Sequence, residues 1–295
     1  MTNTTYECLI CDGPLVKSVK SNFYQYNTCT NCYTSQLLPF PTKLELEKLY
    51  NQFHLSEEEG GSYDWVEERM KADFLPKVKL IKRYKKNAPI RLLDVGCGKG
   101  FFIEECQKHN IIATGLDISD SGIQHAINSL KVDARQIDVV SFSQESVNQN
   151  NYDVITLWAT IEHLPNPKEV LDSIFSCLKP GGLFFLDTGL GNDVFEKFLP
   201  GHSQWYDAPQ HIFVYSIDGL KILFEQVGFN ILKVDKNFER NYVRRLIKYV
   251  RHLYLCLVPY ILLRPLLGKK GFGSLQQESK WPLGKLLQII ATKNR

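Results

Sequence analysis

An α/β fold, a doubly wound parallel sheet preceded by a small cysteine-rich ribbon, is predicted by three features of this sequence. The first is RLLDVGCGKG (91–100), an apolar run that ends in closely spaced glycines and passes directly into FFIEECQKH. The second is the alternation of later apolar runs with helix-like segments, as a doubly wound sheet requires. The third is a pair of C-x-x-C knuckles, Cys8/Cys11 and Cys29/Cys32, with 17 residues between them.

Leu92, Leu93 and Val95 read as a buried strand. The turn that follows carries glycines at 96, 98 and 100. Without a Cβ, glycine lets backbone N–H groups approach a ligand closely. The next apolar run, IIATGLD, ends in Asp117, 21 residues after Gly96. An acidic residue there is placed to accept hydrogen bonds from ribose hydroxyls, so an adenosine-containing cofactor is expected. The spacing is not that of a dinucleotide site, because the third glycine position of G-x-G-x-x-G is Phe101. Asp94 would also repel a pyrophosphate, whereas it suits the ammonium of a methionine moiety.

The segment resembles the first motif of the class I S-adenosylmethionine (SAM)-dependent methyltransferases, (D/E)-x-G-x-G-x-G. The resemblance continues over roughly 87–235. QIDVV (136–140) is similar to the third strand end, YDVITLWATIEHLPNP (152–167) to the fourth strand and its loop, and LKPGGLFFLDT (178–188) to a turn and the fifth strand. ILKVDKNF (231–238) and KLLQIIATKN (285–294) would supply the last two strands. The resemblance implies a Rossmann-like seven-stranded class I methyltransferase sheet with SAM as cofactor. It places the methionine end on Asp94, Gly96, Gly98 and Gly100, the ribose on Asp117, and the adenine on Asp138. Trp158 would flank the adenosine, and Cys97, Ile118 and Val139 are further expected cofactor contacts.

The two knuckles have the spacing of a closed four-cysteine zinc site, which is structural because no position is left for water. Zinc would let residues 1–42 fold around a small core. Cys97, Cys106, Cys177 and Cys256 lack such spacing and read as buried apolar residues. The ribbon, the link PFPT (39–42) and a helix leading into Tyr50 together resemble the zinc-ribbon-bearing methyltransferases found with sugar-modifying and surface-polysaccharide genes. The sugar C-methyltransferases of that group carry a further large domain, for which this chain ends too soon.

Residues 43–86 read as a helical linker or lid. LELEKLYNQFHL has apolar residues at helical spacing, and a second helix is expected to be interrupted at Pro76. Tyr50 and Trp65 either cover the cofactor or pack helices together. The methyltransferase domain is expected over 87–295.

Methyl transfer requires a nucleophile held in line behind the sulfonium, and a hydroxyl acceptor also requires a base, most often His. His211, in the aromatic-rich WYDAPQHIFVYS, is the preferred candidate. His163, in IEHLPNP, or its neighbour Glu162 is the secondary one. Trp205 and Tyr206 would stack on a sugar or aromatic ring or plug a lid.

The segment 240–270, within an insert at about 240–280, combines Arg244, Lys248 and Arg251 on one helical face with Leu246, Val250, Leu253 and Leu257 on another. Its purely apolar run, 253–263, is too short to cross a bilayer, which takes about 20 residues. It suits a membrane interface, an oligomer contact, a wall over a lipid-linked acceptor, or a helical pair packed on its own core. The polar N-terminus predicts residence in the cytoplasm, with peripheral membrane contact through 240–270. A net charge of +3, and a ribbon with few lysines, make nucleic acid an unlikely partner. The sequence leaves the oligomeric state open.

The favoured activity is O-methylation of a saccharide or lipid-linked glycan precursor. A quinone-like acceptor is the alternative, because EHLPNP also resembles ubiquinone-pathway enzymes, and an rRNA methyltransferase is a third. A catalytically silent adaptor is the reading from a different class.

Overall fold

A computed structural model describes residues 7–21, 24–42, 44–46, 48–49, 63–86, 89–192, 203, 205–236 and 285–294. The 240–270 segment and Tyr50 lie outside the described residues, as does the side chain of Trp65. Among the described residues no helix is long and apolar enough to cross a membrane.

The ribbon contributes β1 (Leu15–Ser21), β2 (Tyr24–Cys29) and β3 (Ser35–Leu38). The helix α1 (Tyr63–Tyr84) leads into β4 (Ile90–Val95), α2 (Phe101–Lys108), β5 (Ile111–Asp117), α3 (Asp120–Asn128) and β6 (Asp133–Gln136). Then come α4 (Val139–Ser143), β7 (Tyr152–Trp158), α5 (Pro167–Cys177) and β8 (Leu178–Leu190). The chain continues through β9 (Phe213–Val214), α6 (Ile217–Val227), β10 (Phe229–Asp235) and β11 (Lys285–Lys293).

The seven-stranded sheet has the order β10-β11-β8-β7-β4-β5-β6. Its strands from β6 to β8 pair in parallel, whereas β11 runs antiparallel to both β8 and β10. Helices cover both faces, so the strands are near-continuous apolar runs rather than alternating ones. Neighbouring residues feed opposite core layers. Leu92, Val154 and Phe185 pack under α1 and α2 with Phe74, Val78, Ile81 and Phe102. Leu93, Ile155, Phe184 and Leu186 pack on the other side with α5 and α6.

Helix ends follow local chemistry. Ser119 caps α3 by accepting from the Gly122 N–H at 3.2 Å, and Ser216 caps α6 by accepting from the Gly219 N–H at 2.8 Å. The expected interruption at Pro76 does not occur, and α1 runs through it. Phe74, Val78 and Ile81 on either side are buried in the same layer, which holds the two halves in line. The parallel order 3-2-1-4-5 around β4 and the antiparallel β11 make this the class I methyltransferase sheet expected from the sequence.

The ribbon does not stand apart from this core. Its sheet has the order β1-β2-β3-β9, and β9 comes from the segment after β8. Ser35 pairs with Val214 and Gln36 with Phe213 in an antiparallel register.

Candidate active site

The glycine-rich turn sits at the carboxyl ends of β4 and β5, where ligands bind in open α/β sheets. The N–H groups of Gly96 and Cys97 donate to the Leu116 carbonyl at 2.8 and 3.0 Å, tying the two strand ends together. Gly96 has φ +76°, and a Cβ there would lie 2.5 Å from the Thr160 hydroxyl oxygen. Gly100 has φ +84°, and a Cβ there would lie 2.8 Å from that of Ala126. The turn is thus wedged between the loop after β7 and helix α3, and only glycine fits both the backbone and the space.

Asp117 is fixed by its own backbone surroundings. Its carboxylate accepts from the Gly98 N–H and the Ser119 N–H, each at 2.8 Å. A carboxylate offers about four lone-pair sites, so the geometry leaves acceptor capacity for a ligand. Asp138 is exposed and caps α4, accepting from the Ser141 N–H at 2.9 Å and its hydroxyl at 2.8 Å. Ile118 is exposed at the rim, while the Val139 side chain is buried in the core. Cys97 is buried against the place where a Gly115 side chain would stand. Trp158 is also buried, with its ring against Phe102, Phe185 and the Lys77 ammonium, the last 4.3 Å from the ring centre.

Asp94 is buried and accepts from the Thr156 hydroxyl at 2.6 Å. Burial pushes its pKa up to about 7, against the opposing pull of Thr156 and the Lys77 charge. Sequence reasoning missed the buried pair beside it, Lys77 on α1 and Asp187 on β8, 2.9 Å apart. Asp187 also accepts from the Ala159 N–H at 2.8 Å, and Ala159 has φ +45°. The pair pins α1 to the sheet and holds the first residue of the loop after β7. Asp187 at a strand's carboxyl end was a visible signal; Lys77 on a helix gave none.

That loop carries a short 3₁₀ turn, Ile161–His163. Together with the segment before β9 it gathers Glu162, His163 and His211, whose ligating atoms all lie within 4.8 Å of one another. The two imidazole rings are 4.9 Å apart. His163 Nδ1 lies 2.8 Å from the Gln210 carbonyl oxygen and His211 Nδ1 lies 2.9 Å from that of Trp205. A carbonyl only accepts, so each Nδ1 donates its proton there, and the neutral form of each ring carries its lone pair on Nε2. Glu162 is buried and accepts from the Thr188 hydroxyl at 2.8 Å. Burial pushes its pKa up to about 7, opposed by hydrogen bonds from its own N–H and Thr188. Trp205 stands 6.0 Å from the His211 ring, centre to centre. Its indole N–H is buried and has no acceptor among the described residues. The same three donors would also fit a divalent cation.

The four ribbon cysteines converge as their spacing predicts. Cys8 and Cys32 sulfurs are 3.6 Å apart, Cys11 and Cys29 sulfurs are 3.5 Å apart, and all four lie within 4.8 Å of one another. Zinc with Zn–S bonds of ~2.3 Å holds its four sulfurs about 3.8 Å apart in a tetrahedron. The N–H groups of Ile10 and Asn31 point at Cys8 and Cys29 Sγ, each at 3.4 Å. The hydrogen bond shared by Cys8 and Cys32 lowers the pKa of Cys32 and raises that of Cys8, and burial raises that of Cys11. The donor set therefore fits zinc.

A family model described as a methyltransferase domain matches residues 66–234. A ubiquinone biosynthesis O-methyltransferase of Pasteurella multocida is 36% identical over 166 residues, which cover 48% of this chain and 69% of that protein. One from Histophilus somni is 33% identical over 135 residues, covering 40% of this chain and 57% of that protein. Among solved structures, a SAM-dependent methyltransferase from Archaeoglobus fulgidus superposes with a TM-score of 0.53 at 20% identity, covering 80% of this chain and 97% of that one. The [4+2]-cyclase SpnF superposes with a TM-score of 0.55 at 18% identity, covering 87% and 98%. At such identities the likeness is one of fold, and fold alone does not fix the reaction.

Proposed function

Because this chain belongs to the methyltransferase-domain family and is a SAM-dependent methyltransferase, we propose that it methylates a hydroxyl oxygen of a small aromatic, quinol-like acceptor, with His211 as general base. The observation that carries this reading is the histidine pair at the carboxyl edge of the sheet, each ring anchored through Nδ1 to a backbone carbonyl. An anchored neutral imidazole with its lone pair on Nε2 is a base of suitable strength for a phenolic proton near neutral pH. As the acceptor oxygen attacks, His211 Nε2 takes its proton. The new O–C bond forms as the C–S bond of the sulfonium breaks, leaving S-adenosylhomocysteine. His163 lies beside His211, and the buried Trp205 N–H offers a donor for an acceptor oxygen.

In this reading Asp117 receives the ribose and Asp138 the adenine edge. Asp94 and the Gly96–Gly100 turn hold the methionine end, and Cys8, Cys11, Cys29 and Cys32 hold a structural zinc. The O-methyltransferase names of the relatives support an oxygen acceptor of the quinone type. The saccharide acceptor expected from the N-terminal resemblance has no counterpart among those relatives.

The test is transfer of labelled methyl from SAM to a panel of catechols, hydroquinones and sugar nucleotides. Transfer to a phenolic acceptor is expected. His211→Gln should lower kcat by about 10²–10⁴ while S-adenosylhomocysteine affinity stays within about twofold of wild type. Transfer confined to sugars would reject the acceptor class, and full activity of the variant would reject the base.

A further inference from the structure

We propose that the four-cysteine ribbon is a working wall of the active site: its metal centre holds the backbone of His211 in place, and Tyr26 is the positioning residue that makes the link. The inference rests on His211 as the base and adds what keeps it there.

The contacts form a short, continuous path. Cys29 ends β2 and Cys32 opens the turn into β3, so the metal-binding cluster fixes this hairpin directly. From β2, the Tyr26 hydroxyl donates to the His211 carbonyl at 2.6 Å. From β3, the Leu37 N–H donates to the Ile212 carbonyl at 2.8 Å, and the strand continues into β9. Just beyond the last cysteine, the Cys32 carbonyl accepts from the Ser216 hydroxyl, the group that also caps α6.

On its other side the same segment is bonded to the core. The Ile212 N–H donates to the Glu162 carbonyl at 2.7 Å. His211 therefore sits on a strip held by the ribbon on one edge and by the loop carrying Glu162 and His163 on the other. The strip has only a two-residue strand of its own, too short to hold its shape unpaired. Tyr26 is fully buried and its ring meets Tyr206 edge-on at 5.0 Å, so its hydroxyl cannot turn to another partner without opening the interface.

A ribbon that were only an appended module would lose its own order on metal removal and leave the core side of the strip untouched. The decisive group is therefore the Ile212 amide, which belongs to the core-side bond. The full chain, saturated with S-adenosylhomocysteine, is compared with and without a zinc chelator by amide hydrogen exchange and by NMR of ring-labelled histidine, with His211 assigned through His211→Gln. Zinc removal should speed exchange at Ile212 at least tenfold and shift or broaden the His211 ring signals, with β4 and β7 amides unchanged and zinc restoring both. Tyr26→Phe, which keeps the ring and all four cysteines, should shift the His211 signals while zinc content stays at one per chain. Loss of protection in the ribbon alone, or unmoved His211 signals in Tyr26→Phe, would overturn the proposal. These readouts do not depend on turnover. A strip that loosens as expected in a protein whose His211→Gln variant remains fully active would retain the coupling and reject only the base.

Discussion

Asp94 and Glu162 are buried carboxyls whose pKa values both stand at about 7. Each sits beside a hydroxyl, Thr156 and Thr188, that satisfies one oxygen without offsetting the loss of water. In the unfolded chain such groups titrate near pH 4. A folded-state value raised above the unfolded one gives stability that is complete below about pH 4 and is lost as pH rises through 7. The unfolding midpoint is therefore expected to fall as pH rises from about 4 to about 7. At about 2–4 °C per kcal/mol the fall should reach several degrees. Asp94→Asn should flatten that profile when measured by scanning calorimetry. A variant that keeps the full pH dependence would show that Asp94 is ionised in the folded protein throughout this range.

The turn after β4 shows how an element acquires its sequence. Its three glycines all have positive φ, and two of them also solve different crowding problems. Gly96 faces Thr160 on the loop after β7, and Gly100 faces Ala126 on α3. The turn is thereby locked to the loop that carries Glu162 and His163. Gly96→Ala must adopt a left-handed conformation costing about 1–2 kcal/mol and must also displace Thr160. The expected result is a midpoint lowered by about 4 °C or more, with S-adenosylhomocysteine binding weakened at least tenfold by calorimetric titration. Unchanged affinity would mean that the turn does not meet the cofactor. Helix α1 is anchored in a comparable way, by the buried Lys77–Asp187 pair rather than by a motif. Breaking one partner of such a pair leaves a buried charge without its counter-ion, which explains why a polar pair persists in an apolar layer.

At the scale of the molecule, two sheets meet through β9. Ile212, Phe213, Val214 and Tyr215 are all buried, and part of their cover is the ribbon, through the β3–β9 pairing and the contact between Phe40 and Phe213. Deleting residues 1–42 would leave an uncovered apolar strip with an open strand edge, a site for association between chains. The truncated chain is expected to form larger assemblies than the full chain, or to precipitate, when followed by size-exclusion chromatography with light scattering. A soluble, monomeric truncated chain that still binds S-adenosylhomocysteine would show the core to be self-sufficient.

The amino-acid sequence by itself determined the features that depend on a few consecutive residues: the strand, turn and helix of RLLDVGCGKG, Asp117 at the next strand end, and the knuckles Cys8-x-x-Cys11 and Cys29-x-x-Cys32. Their physics is local, because glycine dihedrals and ligand bite are set within about ten residues. His163 could be nominated for the same reason, since it lies just beyond the carboxyl end of β7, and His211 from the aromatic-rich segment around it. Only the tertiary structure decided that His163 and His211 face each other, that Lys77 reaches Asp187, and that Tyr26 holds His211 across 185 residues of chain. A two-residue strand such as β9 has no periodicity to read, and a lysine on a helix gives no sign of its partner. The Tyr26 contact exists because the ribbon and core close over one apolar strip, and the path of the whole chain decides which groups meet there.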